Sequence, residues 1–73
     1  MVELGAIVRA TQDLDETFLY GFGHWIIVKE GTEGTVVDTC KDNNSIAILF
    51  ETQLVPLWFD LDDDFDTHIK KVE

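Results

Sequence analysis

The pattern of apolar and polar residues around two glycines predicts a β-hairpin in the middle of the chain. Gly31 and Gly34 precede a β-prone run over 35–38, turn-forming residues occupy 41–44, and a second apolar run covers 45–51. Glycines favour the tight turns that lead into strands, and Asp and Asn favour the turn that joins two strands. We therefore expect a strand, a short turn and a second strand that pairs with the first.

The register of this hairpin follows from the alternation of its side chains. With a period of two, Ile46, Ile48 and Phe50 share the core face, and Val36 is their natural partner on the opposing strand. A shift of one residue would bury Glu51 in place of the apolar residues, so the pattern favours a single register.

Three further β-prone segments extend the hairpin, over 6–11, 54–59 and 69–72. Val8 is the inward residue of the first segment. Pro56 lacks the backbone donor that an interior strand needs, so the second segment should be an edge strand or should carry the proline at its start. A small barrel is the economical way for so short a chain to bury one face of a sheet and remove its edges.

The chain between the first segment and the hairpin does not show helical periodicity. Aromatic residues alternate with glycines over 17–24, which predicts a long irregular loop, and the β-prone run 25–28 returns the chain to the hairpin. The prediction is therefore an all-β fold of five short strands, with a long loop after the first strand and no helix.

Several of these segments resemble the SH3-like barrels of the KOW type. The resemblance lies in the glycine-led strand 5–9, in Gly31 and Gly34 ahead of 35–37, and in the run 48–51, and the same segments are similar to small barrel subunits that accompany photosynthetic electron-transfer complexes. It implies a five-stranded SH3-like barrel with a non-catalytic docking role. KOW-type domains commonly contact RNA or proteins through basic or mixed surfaces, and this chain departs from them in charge.

Charge narrows the classes of partner. The 73 residues, predicted to form one domain over 1–73, include 15 Asp and Glu against 5 Lys and Arg, a net charge of -10. Such a chain repels a phosphate backbone and an anionic membrane surface. We therefore expect no direct contact with nucleic acid or membrane, and a basic protein, such as a nucleic-acid-binding protein, as the partner.

The carboxylates are concentrated in two stretches, the first over 13–16 and the second over 51–66, and the second also contains aromatic residues. Repulsion between neighbouring carboxylates opposes the compact state, which favours a functional reason for the clustering. The alternative is a solvated surface that keeps a small hydrophobic protein soluble. The predicted partner-binding residues are Asp13, Asp15, Glu16, Trp58, Asp60, Asp62, Asp63, Asp64, Phe65 and Asp66.

Neither catalysis nor a cofactor is indicated by the residues. The chain has one cysteine, Cys40, and two histidines, and it contains no recognisable nucleophile arrangement or phosphate-binding loop. Asp62, Asp64 and Asp66 repeat the carboxylate spacing of a calcium loop, but Thr67 stands where that loop needs glycine. We expect no enzyme activity, no cofactor and no specific metal site.

Cysteine usage and the N-terminal sequence predict the compartment. Cys40 is alone, so it cannot form a disulfide within the chain, and the N-terminus lacks the basic and apolar regions of a secretion signal. A cytoplasmic protein is expected, in the cytoplasm of the host if the protein is viral.

Three functions remain open on this basis. The first is an acidic interaction module that mimics nucleic acid and inhibits or regulates a DNA- or RNA-binding protein, by analogy with bacteriophage host-takeover proteins. The second is an accessory subunit of a larger complex that docks through an aromatic face around Phe18, Tyr20, Phe22 and Trp25. The third is a small RNA-binding barrel of the KOW type. A homodimer through an unpaired edge strand is a further alternative.

Overall fold

Strands make up most of the regular structure. The computed structural model describes residues 3–72, without the side chain of Asp63. The strands in this range are β1 (Ile7–Ala10), β2 (Leu14–Asp15), β3 (Ile26–Val28), β4 (Glu33–Cys40), β5 (Ser45–Phe50), β6 (Leu57–Asp60) and β7 (Ile69–Lys71), and the helices are α1 (Glu16–Tyr20) and α2 (Asp63–His68). The all-β character is as predicted, whereas the expectation that the chain has no helix is wrong.

Five of these strands form one antiparallel sheet in the order β6-β5-β4-β1-β7, which curls into a half-barrel. Strands β2 and β3 form a separate two-stranded sheet. The predicted hairpin is confirmed: β4 pairs with β5, and Val36 lies opposite Ile48. Ile46, Ile48 and Phe50 are buried, as their alternation predicts. The core therefore lies against the face of the sheet that carries these three residues.

Pro56 and the two hairpin glycines have distinct structural roles. Pro56 directly precedes β6, which is an edge strand, as predicted. Gly31 has a φ of 90°, a left-handed conformation that disfavours other residues, and it lies in the turn before β4. Gly34 lies within β4, and a Cβ there would approach Ile48 Cγ2 to 2.8 Å. Gly34 is thus required by close packing rather than by the turn.

The segment after β1 is ordered and is not the irregular loop that the sequence predicted. It contains β2, α1 and β3. Helix α1 begins after Asp15, whose carboxylate accepts a hydrogen bond of 2.9 Å from the backbone N–H of Phe18, and it ends at Gly21, which has a φ of 86°. A capping aspartate and a C-terminal glycine are strong helix boundary signals. They define α1 although five residues are too few to show a helical period.

Aromatic residues from different elements meet in the core. Phe59 of β6 packs against Phe50 and Phe65, with both pairs of ring centroids 6.1 Å apart. Phe65 is only 3% exposed, so its side chain is unavailable to a partner. The prediction that Phe65 belongs to the binding surface must be corrected: it attaches α2 to the sheet.

Candidate partner-binding cleft

An open cleft of about 720 Å³ lies where β6, the two helices and the β4–β5 turn come together. Its lining residues come from four parts of the chain: Thr17, Phe18, Leu19, Cys40, Asn43, Ser45, Trp58, Phe59, Asp60, Asp62 and Asp64. The cleft therefore combines carboxylates of the second acidic stretch with residues of α1 and the β4–β5 turn, of which only Phe18 is predicted from the sequence to contact a partner, as part of the aromatic face.

Three carboxylates lie on the side of the cleft formed by β6 and α2. Strand β6 ends at Asp60 and α2 begins directly after Asp62, so the short connection keeps Asp60, Asp62 and Asp64 together. The carboxylate of Asp62 accepts a hydrogen bond of 3.1 Å from the backbone N–H of Phe65 and so caps α2. The side chains of Asp60 and Asp64 are exposed and form no hydrogen bond with the described residues.

Aromatic side chains line the cleft beside these carboxylates. Phe18 of α1 lies 6.1 Å from Phe59, measured between ring centroids, and stacks on His68 at 3.9 Å. These contacts hold α1 against β6 and α2. Trp58 is 51% exposed and lines the same cleft, so a large apolar surface stands beside the carboxylates.

Ser45 is a buried polar residue in the cleft lining. It is 7% exposed, and in the sheet it lies directly opposite Asp60. Its hydroxyl has no hydrogen-bond partner among the residues that the structure describes. Since no sealed side-chain polar atom in that part of the chain lacks a partner, the hydroxyl keeps some exposure to solvent. It therefore offers a ligand an unused donor and acceptor.

The first acidic stretch is placed differently and does not line the cleft. Each of its carboxylates accepts a hydrogen bond from a backbone N–H: Asp13 from Glu30 at 2.8 Å, Asp15 from Phe18 at 2.9 Å, and Glu16 from Trp25 at 3.1 Å. These three side chains stabilise the segment between β1 and β4. They contribute to the negative field of the protein rather than to the cleft.

The remaining predicted site residues lie in α2. Asp66 is exposed and is not part of the cleft lining. Asp63 belongs to α2, but its side chain lies outside the described residues. The structure thus brings together Trp58, Asp60, Asp62 and Asp64 from the predicted set, and Asp13, Asp15, Glu16, Phe65 and Asp66 do not line the cleft.

The wall formed by α1 and the β4–β5 turn is not predicted by the sequence as one binding surface. The sequence predicts Thr17 and Leu19 only as part of an irregular loop, Phe18 as part of an aromatic docking face in that loop, and Asn43 and Ser45 only as part of the hairpin. The available signal was local: an aspartate followed by a short segment and a glycine marks the two ends of α1. No local signal brings α1 next to β6, because that contact depends on tertiary packing.

A second exposed group lies at the end of α1 and in the connection to β3. We call Tyr20, Phe22 and Trp25 the aromatic surface. Phe22 and Trp25 are 75% and 73% exposed, and Tyr20 is also exposed. Phe18, which was predicted to belong to this group, is instead half-buried against the core.

Few of the carboxylates are neutralised by ion pairs. Among the described residues one salt bridge is present, between Arg9 and Glu33 at 2.8 Å, and it joins β1 to β4. No group of three His, Cys, Asp or Glu side chains within the described range is arranged to hold a metal ion. Within the described range, no lysine or arginine forms an ion pair with a carboxylate of the cleft, so the cleft keeps its negative charge.

Comparisons with protein-family models, curated proteins and solved structures found no match to this chain. Within residues 3–72, neither helix is long and apolar enough to cross a membrane.

Proposed function

We propose that this chain is a small acidic interaction module whose cleft binds a basic segment of a protein partner. The observation that carries the proposal is the half-exposed Trp58 beside Asp60 in one cleft, with Asp62 and Asp64 on the same side. A cationic side chain gains both from carboxylates and from the face of a tryptophan ring. An aromatic anchor also supplies affinity that exposed charges alone do not give.

The net charge of -10 supports the same class of partner. A strong field of one sign attracts the oppositely charged partner over a distance and raises the association rate. If the basic segment is the nucleic-acid-binding surface of the partner, the module occupies that surface in place of nucleic acid and so inhibits the partner.

We also infer that the half-barrel belongs to the SH3-like class. The support is the single antiparallel sheet of five strands, the long connection between β1 and β4, and the short helix α2 ahead of the last strand. The resemblance to KOW-type barrels implies a docking role, which agrees with a cleft that presents the exposed side chains of Trp58 and Asp60 at one sheet edge.

The two tryptophans allow a direct test. In a Trp25→Phe variant, Trp58 is the only tryptophan and reports on the cleft through its fluorescence. A blocked peptide of alternating arginine and valine is the probe. We expect saturable binding that changes the emission of Trp58 and that weakens as salt is added, because exposed charges are screened.

A charge-matched pair of variants separates the cleft from the general field. Asp60→Asn with Asp64→Asn removes two charges from the cleft, whereas Glu3→Gln with Glu51→Gln removes two exposed charges that do not line it. We expect about tenfold weaker binding for the first pair and less than about threefold for the second. Equal losses in both pairs would show that only the net charge matters and would exclude the cleft as the site.

A second candidate function is an accessory subunit that docks through the aromatic surface. The exposure of Phe22 and Trp25 favours it, because large apolar side chains that are grouped and exposed often mark interaction sites. A Trp58→Phe variant makes Trp25 the reporter in the same titration. A response of Trp25 that does not depend on salt, together with a silent Trp58, would assign binding to the aromatic surface instead.

A further inference from the structure

We infer that the basic segment binds as an additional β-strand on the free edge of β6, with arginine side chains at alternate positions. This inference rests on the proposed function and specifies how the partner binds. It depends on the direction of the backbone groups in β6, on the unused hydroxyl of Ser45, and on the charge of the residues around this edge.

The register of β6 against β5 determines which backbone groups face the free edge. Asn44 and Leu61 form a hydrogen-bonded pair just beyond the ends of the strands, with the Leu61 N–H donating to the Asn44 carbonyl at 2.9 Å. In an antiparallel pair, hydrogen-bonded and non-hydrogen-bonded positions alternate. The pairs Ile46 with Phe59 and Ile48 with Leu57 are therefore the bonded ones. It follows that the backbone groups of Trp58 and Asp60 point away from β5.

Three of these four outward groups form no hydrogen bond with the described residues. The Asp60 carbonyl accepts a hydrogen bond of 3.0 Å from the Asp62 N–H. The N–H and carbonyl of Trp58 and the N–H of Asp60 have no partner among the described residues. An edge with free donors and acceptors is a template for a further strand. Because Trp58 and Asp60 both line the cleft, the free edge and the proposed binding site coincide.

Side chains next to this edge select the chemistry of the added strand. Trp58 and Asp60 are two residues apart in β6 and so share one face, and Ser45 lies opposite Asp60 on that face. A strand added to β6 places every second side chain beside this group. A guanidinium has five donors and a flat surface, so one arginine can bond the Asp60 carboxylate, approach the Ser45 hydroxyl and stack on Trp58.

A second copy of this chain is a weaker occupant of the same edge. Strand β7, at the opposite edge of the sheet, carries Lys70 and Lys71, which offer local complementarity to Asp60. Each copy, however, has a net charge of -10, and repulsion between two such chains opposes their association. The added strand is therefore assigned to a basic protein.

Amide hydrogen exchange tests the inference at single residues. The protein is labelled with ¹⁵N, and the alternating arginine and valine peptide is added at ten times its Kd. We expect the amide hydrogens of Trp58 and Asp60 to exchange about tenfold more slowly. The amides of Leu57 and Phe59 are internal controls and should change little, because they already bond to β5.

A peptide of the same sequence, methylated on every backbone nitrogen, is the matched control. It keeps the arginines but cannot donate backbone hydrogen bonds, and we expect it to bind about tenfold more weakly. If both peptides bind equally well and Trp58 and Asp60 gain no protection, strand addition is wrong while the proposed function stands. If neither peptide binds at low salt, both the strand-addition inference and the proposed function are wrong. Protection of Trp58 and Asp60 without peptide, lost on dilution, would assign the edge to a second copy and overturn the inference.

Discussion

The two acidic stretches of this chain look alike in sequence and act differently in the structure. Asp13, Asp15 and Glu16 each accept a hydrogen bond from a backbone N–H and so stabilise the segment between β1 and β4. Asp60 and Asp64 are exposed at the cleft, and their side chains form no hydrogen bond with the described residues. The first stretch is mainly structural, whereas the second leaves carboxylates available to a partner.

The difference shows that the density of carboxylates does not identify a binding surface. Each stretch contains one aspartate directly before a helix, Asp15 before α1 and Asp62 before α2, and both cap that helix. Capping satisfies backbone donors that are otherwise left unpaired at a helix start. The carboxylates that lack such a role, Asp60 and Asp64, are the better candidates for binding.

The largest expected effect is a difference in unfolding free energy between alanine variants of two aromatic residues in the second stretch. Phe65→Ala should cost about 3–5 kcal/mol of unfolding free energy because it leaves a cavity in the core, enough to unfold much of a domain of this size. Trp58→Ala should cost less, about 1–2 kcal/mol, since its side chain is half exposed. Urea unfolding followed by circular dichroism measures both. A comparable loss in the two variants would contradict the assignment of Trp58 to the surface.

The next largest effect is a difference in unfolding free energy between alanine variants of a capping aspartate and a cleft aspartate. Asp15→Ala should cost about 1 kcal/mol, because the Phe18 N–H loses its acceptor. Asp60→Ala should change stability by less than about 0.5 kcal/mol while weakening peptide binding. Asp15→Asn is the control, since an asparagine oxygen can also cap a helix. A loss as large in Asp15→Asn as in Asp15→Ala would show that the charge, and not the hydrogen bond, is what matters.

Elements with strong local signals were predictable from the sequence. The period of two in Ile46, Ile48 and Phe50 gave the register of the hairpin, and Pro56 indicated the edge strand that β6 proves to be. The same period places Trp58 and Phe59 on opposite faces of β6, because neighbouring residues of a strand face opposite sides. That separation follows from the sequence once β6 is recognised as a strand.

Elements that depend on tertiary contacts were not predictable in this way. Helix α1 has five residues and shows no period, and only Asp15 and Gly21 mark its ends. The cleft needs α1 beside β6, and that contact is made by the packing of Phe18 against Phe59 and His68. No spacing within the sequence indicates such a contact, so the position of α1 in the cleft wall was not predicted.

The smallest expected effect is a change in unfolding free energy that has opposite signs for one aspartate of each stretch. Asp66 lies in the second half of α2, is exposed and forms no side-chain hydrogen bond with the described residues. Asp66→Asn should raise the unfolding free energy by about 0.3 kcal/mol at low salt, because it relieves repulsion in a chain of net charge -10 and removes a negative charge near a helix C-terminus. Asp13→Asn should lower it, because the carboxylate bonded to the Glu30 N–H becomes a weaker acceptor.

Salt distinguishes the causes of these two changes. The gain from Asp66→Asn is electrostatic and should disappear in about 1 M salt, where charges are screened within about 3 Å. The loss from Asp13→Asn comes from a hydrogen bond at contact distance and should persist. Thermal unfolding at two salt concentrations provides the measurement. A gain from both variants at low salt would mean that repulsion outweighs the backbone hydrogen bonds, and the first stretch would then have no greater structural role than the second.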